Sequence, residues 1–93
     1  MSPEQQIQIN INDKILRGVY ANMAQIAHTK EEFVLDFMNI MPPQGVMSAR
    51  VYVSPAHAKR LAHALADNVK KYEEQFGKID EAAQTPEIGF KTS

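Results

Sequence analysis

No cysteine occurs among the 93 residues. Disulfides, thiolate zinc sites, iron–sulfur clusters and a cysteine nucleophile are thereby excluded. Small secreted domains are often stapled by disulfides, so their absence points to a reducing, cytoplasmic setting. Tryptophan is also missing, and five Met, four Phe and three Tyr supply the bulk that aliphatic residues do not. Glycine is scarce: there are four, none adjacent to another, which leaves no Gly-rich loop to cradle a phosphate. Neither sign of charge dominates. Ten Lys and Arg against eleven Asp and Glu give a net charge of −1, without the basic excess that nucleic-acid and membrane partners usually leave. No run approaches the ~20 apolar residues that span a bilayer. The opening MSPEQQIQIN has neither the basic region nor the apolar run of a signal peptide. The sequence has no G-x-S-x-G elbow and no H-E-x-x-H. These absences predict a soluble protein with no membrane partner, no cofactor and no catalytic constellation.

What is present is ordinary for a globular domain: 44% hydrophobic and 23% charged residues. The length suits one domain, with a thin core that buries roughly 60–65% of the unfolded surface. The patterned part runs from 5 to 79. From 80 to 93 the chain has no periodicity and reads as a disordered tail, in which the isolated Ile88 and Phe90 could form a short docking motif.

Four strands are expected in series. In Gln5–Ile11, Ile7, Ile9 and Ile11 alternate with polar residues, the period of a half-buried strand. Asn12-Asp13-Lys14 offers turn chemistry. A second extended segment follows over Ile15–Ala27, with Gly18 placed where a bulge is usual. A helix over Tyr20–Ala27 competes with that reading through its Ala, Met and Gln. After the polar turn His28–Glu31, the segment Glu32–Met41 is apolar on both faces, as a central strand is. Pro42-Pro43-Gln44-Gly45 breaks the run. Val46–Val53 then alternates Met47, Ala49, Val51 and Val53 against Ser48, Arg50 and Tyr52.

A long helix follows. Ser54 is a good N-cap, Pro55 fits the first helical position and Gly77 fits the residue past the end. Between them Ala58, Leu61, Ala62, Leu65, Val69, Tyr72 and Phe76 recur at three- and four-residue steps and so share one stripe. Lys59, Arg60, His63, Asp67, Lys70, Lys71 and Glu74 fall opposite. The expected fold is therefore α+β: a four-stranded antiparallel meander followed by one long C-terminal amphipathic helix packed on it. A second copy would cover the other sheet face.

Candidate sites are few. His57 and His63 lie six residues apart, about 240° round a helix, so they do not converge on a metal. Asp36 sits between Leu35 and Phe37 in the most apolar strand and needs a partner there, for which Arg50 is suitably placed. The remaining candidates for an anion or partner are His57, Lys59 and Arg60 at the helix start, together with Arg50, Lys70 and Lys71. Helix N-termini attract anions through free N–H groups and the helix dipole. Interleaved Asp67 and Glu74 favour the plainer reading of a solvated mixed-charge face.

The motifs VYAN (Val19–Asn22), EFVLDF (Glu32–Phe37), the double proline, SPAHAKRL (Ser54–Leu61) and NVKKYEEQFG (Asn68–Gly77) stand in this order along the chain. Together they resemble a family of short prokaryotic proteins known only as a domain of unknown function. The resemblance covers roughly Ile7 to Gly77 and implies no activity, substrate or cofactor. It singles out Tyr20, Asn22, Asp36, His57, Lys59 and Arg60 as positions that match the family pattern.

The function expected is a non-catalytic binding or scaffold module that acts as a homo-oligomer, a dimer or larger, with a protein partner. The alternatives are nucleic-acid binding through the basic helix face and chaperone-like capture of extended peptides at a sheet edge.

Overall fold

A computed structural model describes residues 5–81 and residue 89. Residues 5–12 form neither strand nor helix, and Ile7, Ile9 and Ile11 are exposed. The first strand expected over Gln5–Ile11 is therefore absent. Period-two alternation gives a segment two faces but supplies no partner, and a strand exists only by pairing.

The turn expected at Asn12-Asp13-Lys14 begins a short helix instead, α1 (Asp13–Arg17). Asn12 Oδ1 accepts the Ile15 N–H at 2.9 Å and the Asn12 carbonyl accepts the Leu16 N–H at 2.9 Å. Gly18 closes it, with φ +74°, by donating its N–H to the Ile15 carbonyl at 3.0 Å. Gly18 is thus a helix end, where φ > 0 suits a residue without Cβ, and not a bulge. The extended segment expected over Ile15–Ala27 shrinks to its second half.

Three strands follow: β1 (Met23–His28), β2 (Phe33–Met41) and β3 (Gln44–Val53). They form one antiparallel sheet in the order β1-β2-β3, so β2, apolar on both faces, is central as expected. Thr29 builds the first turn. Its Oγ1 accepts the N–H groups of Glu31 and Glu32, and its N–H donates to the Glu32 carbonyl at 2.9 Å. Pro42 and Pro43 alone join the paired residues Met41 and Gln44.

Register assigns the faces, since residues paired across a ladder point the same way. One face carries Ile26, Leu35 and Val51 in a row, with Ala24, Phe37 and Ala49 on one side and His28, Phe33 and Val53 on the other. The opposite face carries Gln25, Asp36 and Arg50, flanked by Ala27, Val34 and Tyr52 and by Met23, Met38 and Met47. The ladder shifts between Phe37 and Met38, where Ala49 pairs with the first and Met47 with the second. Ser48 is the extra residue of this β-bulge. The bulge moves Met47 to the Asp36 face, so the unbroken alternation of Met47 with Ala49, Val51 and Val53 does not hold.

The core is small. Among the described residues only Leu35, Met38 and Asp36 are buried.

α2 (Pro55–Phe76) runs between the boundaries its caps predict. Ser54 Oγ accepts the His57 N–H at 3.1 Å and the Ser54 carbonyl accepts the Ala58 N–H at 2.9 Å. Gly77, at φ +96°, donates its N–H to the Glu73 carbonyl at 2.9 Å. The chain divides into two compact units inside this helix, between Lys59 and Arg60. No residue of α2 is buried: Leu65 is 63% exposed and Phe76 66% exposed. The proposed docking motif at Ile88 and Phe90 lies outside the described residues.

Candidate interaction site

The sheet places one charged group in its interior. Asp36 stands at the middle of β2, directly opposite Arg50 of β3 and Gln25 of β1. Arg50 Nε donates to Asp36 Oδ1 at 2.6 Å and its terminal nitrogen Nη2 donates to Oδ2 at 2.8 Å. This two-bond fork is the strongest form of carboxylate recognition. The Asp36 side chain is 10% exposed and the Arg50 side chain 49% exposed, so the cation bridges from the buried anion to water. Hydrogen bonds from the guanidinium hold the Asp36 carboxyl below its usual range, against the opposing effect of burial. The same bonds raise the Arg50 guanidinium, which stays charged. The pair anticipated from sequence is thus formed.

Its consequence is register. A one-residue slip of β2 would turn Asp36 to the face that carries Ile26 and Val51 and leave the carboxylate without its fork. The pair also occupies Arg50, one of the candidate anion ligands, through two of its donors.

Asn22 explains a second family-pattern position. Its Nδ2 donates to the Ile40 carbonyl at 2.9 Å, its Oδ1 accepts the Ile40 N–H at 2.8 Å, and its main-chain N–H donates to the Met38 carbonyl at 3.0 Å. The side-chain amide does what a peptide group of one further β1 residue would do, lengthening the ladder where the strand itself stops. Tyr20 contributes its carbonyl, which accepts Ser48 Oγ at 2.9 Å. The segment before β1 is thereby tied to the bulge of the far strand. The Tyr20 ring is 72% exposed. Neither this tie nor the Met23–Met38–Met47 row was legible without the register. The one signal for it was a serine in the middle of β3.

The remaining candidates lie on α2, where helical geometry sorts them. At about 100° per residue, Lys59, His63 and Lys70 fall on one narrow strip, and Arg60 and Lys71 on the next. His57 lies about 160° from Lys59, on the far side of Arg60 and Lys71. Asp67 and Glu74 fall between the two basic strips. The helix start is partly satisfied by its own cap, since the His57 N–H donates to Ser54. Basic groups from both strips can meet one extended anionic surface, whereas His57, Lys59 and Arg60 do not enclose a small anion.

The other face of α2 is apolar along its whole length. Leu61, Leu65, Val69, Tyr72 and Phe76 are all more than a third exposed, and the Tyr72 and Phe76 rings touch, with centroids 5.0 Å apart. On the sheet, Ile26 and Val51 are exposed at 64% and 43% beside the buried Leu35. Among the described residues, no helix is long and apolar enough to cross a membrane.

An α+β chain with an antiparallel three-stranded sheet, a tied-down polar pair and an open amphipathic helix is the class so defined. By its sequence, residues 1–81 match the family described as "Protein of unknown function (DUF3467)", and the chain belongs to that family. Comparison with curated proteins and with solved structures returns no match.

Proposed function

We propose that the protein is a non-catalytic binding or scaffold module that works as a homo-oligomer. The observation that carries this reading is α2. Its apolar stripe runs from Ala58 to Phe76, yet no residue of the helix is buried. Apolar surface of this extent is unfavourable in water, by roughly 25 cal/mol per Å², and large exposed patches on soluble proteins mark interaction sites. The row Ile26–Leu35–Val51 gives the sheet a second apolar surface of the same kind. The polar pair Asp36–Arg50 serves the scaffold by fixing the register of the strands that present this row. Static light scattering at tens of micromolar tests the reading: a mass of two or more chains supports it, and a monodisperse monomer refutes it.

A second reading draws on the strand edges. β1 and β3 each have only β2 as a neighbour among the described residues, and an open edge can accept an extended peptide through main-chain hydrogen bonds. Titration with a fluorescent hydrophobic probe that finds no exposed apolar surface would count against it. Nucleic-acid binding rests on Lys59, Arg60, Lys70 and Lys71. It requires a gel shift at low salt that weakens as salt rises.

A further inference from the structure

We infer that α2 is covered by α2 of a second copy, antiparallel, across a two-fold axis near Asp67. This rests on the homo-oligomer reading above and specifies how the copies meet. The first support is spacing. Ala58, Ala62, Leu65, Val69, Tyr72 and Phe76 follow one another by alternating steps of four and three residues. That is the ~3.5-residue period of a two-helix seam, with Leu61 flanking it.

The second support is size. The N-terminal half of the seam is Ala58 and Ala62, and the C-terminal half is Tyr72 and Phe76. Two parallel copies would set alanine against alanine at one end and aromatic against aromatic at the other, leaving a gap and a clash along the same seam. Antiparallel copies place Ala58 opposite the partner's Phe76, Ala62 opposite the partner's Tyr72, and Leu65 opposite the partner's Val69. Small meets large in every outer layer, as close packing requires.

The third support is charge. In this register Lys59 flanks the seam opposite the partner's Glu73, and the two-fold axis repeats the pair at the other end. Glu73 uses Oε2 to accept the Ile79 N–H at 2.9 Å, which leaves its other oxygen to face a cation. The remaining charged and titratable residues of α2, His57, Arg60, His63, Asp67, Lys70, Lys71 and Glu74, lie off the seam. Leu61, Leu65, Val69, Tyr72 and Phe76 expose roughly 500 Å² per helix, judged from the size of such side chains. A pair of helices would bury about twice that, at the low end for a specific dimer, so the contact is expected to depend on concentration.

Because the chain has no cysteine, single thiols report the arrangement directly. Chains carrying Lys59→Cys are mixed with chains carrying Glu73→Cys and treated with a short bis-maleimide. The inference predicts a cross-linked dimer in the mixture and little from Lys59→Cys alone, since those two thiols would lie about 24 Å apart along the axis. Charge reversal adds a readout on folded protein. Lys59→Glu or Glu73→Lys alone should weaken association about three- to tenfold, the range for two exposed ion pairs, and the double variant should restore it. An oligomeric chain whose Lys59→Cys copies link to one another, or whose mixture does not link, overturns the antiparallel seam while leaving the oligomer intact. A chain that is monomeric by light scattering overturns both.

Discussion

Replacing Asn22 by alanine tests whether a family-pattern residue serves the fold or a ligand. The substitution removes two side-chain hydrogen bonds, from Nδ2 to the Ile40 carbonyl at 2.9 Å and from the Ile40 N–H to Oδ1 at 2.8 Å. The bond from the Asn22 main-chain N–H to Met38, at 3.0 Å, survives. A neutral hydrogen bond contributes a net 0.5–1.5 kcal/mol, roughly. Both lost bonds are exposed, so water takes up the freed groups and the lower half of that range applies, giving about 1–2 kcal/mol for the two. For a domain of this size each kcal/mol moves Tm by about 4–8 °C, so Asn22→Ala should melt about 5–15 °C below the parent. Asn22→Asp should not rescue it. The carboxylate can still accept the Ile40 N–H, but it offers no donor to the Ile40 carbonyl and sets two oxygens against each other. The assay is thermal and urea unfolding followed by circular dichroism, at one fixed protein concentration because association shifts Tm by mass action. A change within about 0.5 kcal/mol, the usual scatter of neutral surface substitutions, would refute the idea that this amide extends the ladder.

Two further outcomes follow from the same physics. Ser54→Ala removes the acceptor of the His57 N–H at the start of α2 and should lower stability by about 1 kcal/mol, whereas Ser54→Asp should retain it; urea unfolding compares the two. The Asp36 carboxyl is held below its ordinary range by the Arg50 guanidinium, so the unfolded chain takes up the proton first as pH falls. The pair's contribution is therefore complete above the unfolded carboxyl pKa of about 3.9 and is lost as pH drops below it towards the folded value. Melting curves between neutral pH and strong acid should show a steeper acid decline for the parent than for Asp36→Asn. Equal slopes would contradict that role.

Local chemistry was the legible part of the sequence. Ser54, Pro55 and Gly77 state both ends of α2, because caps act through adjacent backbone groups. The two-faced apolar run of β2 announces a central strand, and Asp36 inside it demands the cation that Arg50 supplies. Pairing was much less legible. Ile7, Ile9 and Ile11 carry the alternation of a strand, but alternation says which side chains share a face and nothing about a neighbour. α1 went unread because five residues give no periodicity, although Asn12 and Gly18 hold its two caps. The bulge at Ser48 lay hidden because the sequence alternation runs through it, and only the β2 register shows that Met47 changes face. The basic residues of α2 form two strips and not a pocket, a consequence of ~100° per residue that a linear motif such as SPAHAKRL conceals.

The central claim is that the apolar seam of α2 meets a second copy in solution. Sedimentation equilibrium of the parent chain and of Leu65→Asp, at matched concentrations in the tens of micromolar, tests it most directly. The parent should sediment as an associating species built from 10.5 kDa chains, and Leu65→Asp as a monomer with undiminished helical circular dichroism. A parent chain that sediments as a monomer at every concentration would contradict it.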